Sequence, residues 1–163
     1  MFVLKEQKSK LVHINGREEK NVEEIAFDLK VHTEMHNTCL NMFHDHLLDA
    51  FYKVDPEAKQ QDMIDKQEHH KSALKFLKLS PIAWGHEMVE CGVRIGYGIG
   101  GDSDILLESC KVKDFKFVMK EGGTVELTFR IVTHPNEDDI GKLYSLLKKE
   151  ITLSINPPKP VQE

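Results

Sequence analysis

Cysteine is scarce in this sequence, and its placement narrows the chemistry. The three residues, Cys39, Cys91 and Cys110, are odd in number and far apart, with no CxxC pair to mark zinc binding or thiol exchange. They read as reduced core residues. Long apolar runs are also missing. Met1-Phe2-Val3-Leu4 meets Lys5, Glu6 and Lys8 at once, which is no core for a secretory leader. Nothing later approaches the ~18 consecutive apolar residues of a membrane helix, so a cytosolic location is expected. Excess positive charge is lacking as well. A net charge of -5 disfavours non-specific attraction of the whole chain to nucleic acid or anionic lipid, while leaving room for a local basic face. No G-x-S-x-G elbow occurs, and no Ser, Cys or Thr lies in a local signature for an activated nucleophile.

What is present describes one globular domain. A chain of 163 residues, 40% hydrophobic and 30% charged, is too apolar for disorder and can bury a sizeable core without staples. The expected fold is mainly β (α+β): an antiparallel sandwich or partly open barrel of hairpins with two short capping helices. The domain is placed at residues 1–156, with a polar, mobile loop at about 55–72 and an exposed tail at 157–163.

The C-terminal half carries the clearest periodicity. Val89, Cys91, Val93, Ile95, Tyr97 and Ile99 alternate with Glu90, Gly92, Arg94, Gly96 and Gly98, Gly100-Gly101-Asp102-Ser103 turns the chain, and Ile105 opens a return strand. Phe115, Phe117 and Met119 alternate again, break at Glu121-Gly122-Gly123, and resume as Val125, Leu127, Phe129 and Ile131, a second hairpin. Between the two, inward parity slips from even (Cys110, Val112) to odd (Phe115, Phe117), which predicts a β-bulge near Asp114. Pro135 suits a first helical position, and Ile140, Leu143, Tyr144, Leu146 and Leu147 line one face of a short helix. Ile151, Leu153 and Ile155 form a last strand.

The N-terminal half is weaker. Turn-like Asn15-Gly16 and a charged stretch precede a strand through Ile25, Phe27, Leu29 and Val31. A helix is expected with Leu40, Phe43, Leu47, Leu48 and Phe51 on one face, capped by Asn37 or Thr38. Residues from Glu57 to Lys71 offer almost nothing apolar and read as a solvated loop or weakly held helix, a candidate for contacting a partner.

Three constellations bear on function. Gly96-Tyr97-Gly98-Ile99-Gly100-Gly101 fits G-x-G-x-x-G, but Asp102 and Asp104 follow where phosphate would sit, and the context is turn and strand instead of helix. A twisted hairpin end is the reading, and no cofactor is expected. His32, His36, His44 and His46 lie among Glu34 and Asp45, donor types suited to a metal. On a helix, however, His44 and His46 point apart, so surface and cap histidines are the default. His69-His70, in the polar loop, is a candidate for a pH-sensitive partner contact. Finally, Lys111, Lys113, Lys116 and Lys120, with Arg130 on the next strand, form an outward basic stripe suited to a phosphate backbone. The stripe lacks interleaved aromatics, and a solvated face that discourages edge aggregation is the competing reading.

The run Asp104-Ile105-Leu106-Leu107-Glu108-Ser109-Cys110-Lys111-Val112, the run from Glu121 to Arg130, and His134-Pro135-Asn136-Glu137 resemble a family of small early-region proteins of tailed bacteriophages. Phe2-Val3-Leu4 and the run from Ile25 to Lys30 share the likeness, which spans most of the chain except residues 57–71. It lies in strands and turns and transfers no site residue. The resemblance implies a phage accessory protein from a neighbourhood of replication, recombination or anti-defence functions. The resemblance leaves the activity open. With no convincing active site, an acidic chain and a polar loop, the expected activity is binding without catalysis, to a host or phage protein of DNA metabolism or defence, in the cytoplasm of the host cell. Single-stranded DNA binding is the first alternative and a nucleotide-binding or metal-dependent enzyme the second. Self-association through uncovered edge strands fits the same pattern.

Overall fold

The computed structural model describes residues 1–19, 24–56 and 70–158. Its main element is a seven-stranded antiparallel sheet, in line with the mainly-β expectation. The strands are β1 (Leu4–Glu18), β2 (Ile25–His36), β5 (Ile82–Trp84), β6 (Met88–Ile95), β7 (Ile105–Met119), β8 (Thr124–Thr133) and β9 (Glu150–Asn156). Their order is β5-β7-β6-β9-β1-β2-β8, and a further β7–β8 pairing returns the sheet on itself. The result is a ring of hydrogen bonds without being a true barrel. β5 and β6 share β7: β5 pairs at Phe115–Phe117 and β6 at Ile105–Val112. A smaller sheet joins β3 (Tyr52–Val54) to β4 (Lys71–Leu74).

The core is what the alternation in β7 and β8 requires. Val125, Leu127, Phe129 and Ile131 of β8 are buried, as are Phe115 and Phe117 of β7. An aromatic cluster sits at its centre: the Phe2 ring lies 5.3, 5.2 and 5.5 Å from Phe43, Phe115 and Phe129, and Phe43 lies 4.8 Å from Phe117. Each such ring removed from water contributes roughly 1.5–3 kcal/mol. Cys39, Cys91 and Cys110 are buried and unbridged. The small sheet is fastened to the β7–β8 turn by polar contacts. Tyr52 donates its hydroxyl to Lys120 O (2.8 Å), Gly122 donates to Ser72 O (2.9 Å), and Glu121 accepts from Leu74 N (2.9 Å).

Both predicted hairpins form, and so does the bulge. Asp114 takes φ +57°, and the β7–β8 register shifts between Lys113 and Lys116. Further left-handed residues stand at Glu6, Glu90 and Ser109, each beside or within a register shift or bend of the strands. The shift at Glu90 corrects the reading of β6: Met88 is buried while Val89 is 53% exposed, and Ile99 at the hairpin tip is fully exposed.

Four other expectations are revised. Asn15 and Gly16 are not a turn but pair with Asp28 and Phe27 inside the long strand β1. The single helix expected over Leu40–Phe51 is instead a 3-10 helix (Asn37–Met42) and a short α1 (Leu47–Phe51), and the capping acceptor is His36. Helix α2 (Glu137–Ser145) starts after Asn136, whose Oδ1 accepts from Asp139 N at 2.8 Å, so Pro135 precedes the cap. Lys71 and Ser72, assigned to the polar loop, belong to β4, while residues 57–69 of that loop and 159–163 of the tail lie outside the described residues. Among the described residues no helix is long and apolar enough to cross a membrane.

Candidate functional site

Two bulges decide which cations share a face. In β7 the bulge at Asp114 turns Lys113 and Lys116 outward together, although strict alternation would separate them. In β1 a register shift between Leu11 and His13 does the same for Lys10 and His13. The outward residues of β2 and β8 complete two rows across four strands. The first runs Lys113, Arg130, Lys30, His13, and the second Lys116, Thr128, His32, Lys10, each residue the register partner of the next.

Neighbouring strands lie about 4.8 Å apart, and like charges set directly opposite destabilise a sheet. Local compensation is thin. Asp114 approaches Arg130 at 3.5 Å, whereas Lys10, Lys30, Lys113 and Lys116 have no ion-pair partner among the described residues. Over this band lies an open groove of about 570 Å³ that includes Lys30, Lys116, Arg130, Thr128, Pro81 and Trp84 in its walls. Trp84, half-buried on β5, is the register partner of core-facing Phe115 and packs toward the core, its ring 6.3 Å from that of Phe117, so it does not interleave with the cations. The stripe lacks interleaved aromatics for the same reason, its own phenylalanines facing the core.

The five cations singled out in the sequence do not act together. Lys113, Lys116 and Arg130 belong to the band. Lys111 reaches instead toward Glu87 (3.8 Å) beside a smaller cavity of about 180 Å³ that Lys113 also borders. Lys120 is taken up by Glu126 and by Glu34 (3.7 Å). The hydrogen bond with Glu126 raises the Lys120 ammonium above its usual range and holds the Glu126 carboxyl below its own. The band thus runs across the strands and ends at an acidic island, where the stripe was expected to run along β7.

His69 lies outside the described residues. His70 is exposed at the far end of β2, its ring 4.4 Å from that of His36. Burial, and then the charge of His70, holds His36 below its ordinary value. Six residues of strand separate His36 from Lys30, roughly 20 Å at strand rise, so His70 is no part of the band. Beneath these rings Asn37 is buried, donating Nδ2 to Lys71 O at 2.6 Å while its Oδ1 finds no partner among the described residues.

The remaining histidines also need revision. His44 and His46 stand in the turn before α1, rings 5.5 Å apart, with His46 N donating to His44 Nδ1 at 3.1 Å. The helical argument that separated them does not apply. Among the described residues, the donor group that the fold assembles is His32, Glu34 and Glu126, with ligand atoms within 4.8 Å of one another.

The glycine-rich string behaves as a hairpin end. Gly98, Gly100 and Gly101 all take positive φ, and Asp104 fills the turn, accepting from Tyr97 N (2.9 Å) and Arg94 Nε (2.8 Å). Those two contacts, the backbone one foremost, hold its carboxyl below the usual range.

Lys10, His13 and Lys30 escaped the sequence reading. The missed signal was the alternation of β1, obscured by its bulge. Compared with family models, curated proteins and solved structures, the chain matches none.

Proposed function

We propose that this protein is a non-catalytic binding protein whose ligand is single-stranded nucleic acid, held across the outward face of β7, β8, β2 and β1. The observation that carries the reading is the strand register that brings Lys10, Lys30, Lys113, Lys116 and Arg130 to one face, of which only Arg130 has an ion-pair partner among the described residues. An anionic polymer lying across the strands relieves the repulsion among these cations. The buried thiols support a binding role over thiol chemistry. Burial pushes Cys39 up to about 12 and Cys110 up to about 11, which keeps both protonated. The likeness to early-region phage proteins suits a ligand from replication or recombination.

The test is fluorescence anisotropy with a labelled oligothymidine against salt. Five permanent cations engaging phosphate give a log–log slope of roughly -3.5. Lys30→Glu with Lys116→Glu is expected to abolish binding. Absence of binding at low salt, or binding indifferent to the double reversal, sinks the proposal.

A partner protein is the second reading, favoured by one observation. Phe76, Leu77 and Leu79, exposed by 57%, 76% and 40%, lie in the segment that leads into the groove at Pro81. Exposed apolar clusters of this kind mark protein contacts. A host protein retained by the wild type and lost on Leu77→Asp, with oligothymidine affinity unchanged, would favour it.

A further inference from the structure

The acidic island beside the band has its own geometry. Glu34 on β2 and Glu126 on β8 are register partners, so two carboxylates face each other across adjacent strands, a repulsion that a shared cation relieves. Two residues back along β2, on the same face, His32 adds an imidazole whose Nδ1 lies 3.5 Å from Thr128 Oγ1. His32 and Glu126 are both half-buried. The three side chains rise from paired strands, so their Cα positions are fixed by the ladder.

The separations suit one ion. Donor atoms of His32, Glu34 and Glu126 lie within 4.8 Å of one another. Ligands each about 2.1 Å from zinc lie at most about 4.2 Å apart, a contraction that side-chain rotation supplies. Lys120 is the cation present at the carboxylates. An ammonium carries one charge and offers only donors, so it cannot use the imidazole lone pair. A divalent ion doubles the charge and uses all three side chains.

The geometry points to a divalent transition-metal site formed by His32, Glu34 and Glu126, with Lys120 as its displaceable occupant. One nitrogen and two carboxylate donors suit zinc, and cobalt or nickel by the same ligand chemistry. The remaining coordination positions open to solvent beside the cation band, where His32 is the register neighbour of Lys10. The site stands independently of the nucleic-acid reading, because it follows from the donor set alone.

Isothermal titration of zinc chloride into the full chain, without oligonucleotide, tests it. The wild type is expected to bind one ion. His32→Asn should weaken binding by about tenfold or more, and Lys120→Met should tighten it several-fold by removing the competitor. Circular dichroism of both variants checks that they fold. Absence of binding by the wild type, even if Lys120→Met binds, overturns the site, because lysine is then the native counter-ion. Binding unchanged in His32→Asn also overturns it and moves the ion to other histidines.

Discussion

Removing a positive charge from the band should stabilise the free protein while weakening its ligand affinity. Lys30 is the clearest place to look, since it is exposed, stands between Arg130 and His13 in register, and lacks an ion-pair partner among the described residues. With charged tips roughly 7 Å apart in a water-like dielectric, the repulsion from Arg130 amounts to about 0.6 kcal/mol before screening. At physiological ionic strength, with a Debye length near 8 Å, about half survives. Lys30→Gln, nearly isosteric, is therefore expected to raise unfolding stability by about 0.3 kcal/mol at 0.15 M salt and about 0.5 kcal/mol near 0.02 M. In 1 M salt the gain should vanish. Lys30→Glu should gain more, because it turns repulsion into attraction. Urea unfolding at the three salt concentrations measures the effect, and the same variants should lose oligothymidine affinity and about 0.7 of the salt slope. A Lys30→Gln protein that is less stable than the wild type at low salt, or whose stability change ignores salt, refutes the claim that the band is held together against its own charge.

Three further outcomes follow from the core and the turns. Phe2→Ala should cost about 3–5 kcal/mol, seen as a large fall in the urea midpoint, because the ring touches Phe43, Phe115 and Phe129 at once. A loss below about 1 kcal/mol would place Phe2 outside the core. The three thiols should stay silent to an aromatic disulfide reagent at pH 8 in the native state and react on unfolding, since burial raises the values of Cys39, Cys91 and Cys110 alike. Asp104 has a folded-state value below its ordinary one, so its contribution is complete above about pH 4 and disappears as pH falls through the depressed value. Asp104→Asn should therefore flatten the acid limb of the stability–pH profile, and an unchanged limb would contradict the contacts to Tyr97 and Arg94.

The architecture was legible where periodicity and turn chemistry agree. Val125, Leu127, Phe129 and Ile131 alternate cleanly, Gly122 and Gly123 supply the positive φ of the turn, and the parity slip before Phe115 announced the bulge at Asp114. Strand β1 was not legible, because the shift between Leu11 and His13 breaks its alternation and Asn15-Gly16 imitates a turn. The helix after His36 was overestimated: the apolar spacing of Leu40, Phe43, Leu47 and Phe51 serves two short helical pieces with a turn between them.

By itself, then, the order of residues determined the mainly-β class, the two C-terminal hairpins and the burial of the thiols. Each depends on contacts between near neighbours or on a simple inward–outward period. Only the tertiary structure decided which cations form a surface. Lys10, Lys30, Lys116 and Arg130 are far apart in the chain and meet because strand register aligns them, and two bulges turn the right side chains outward. The same register removed Lys120 from the stripe by setting Glu34 opposite Glu126. Register is a property of paired strands, and a one-residue shift reverses the face of every side chain that follows it.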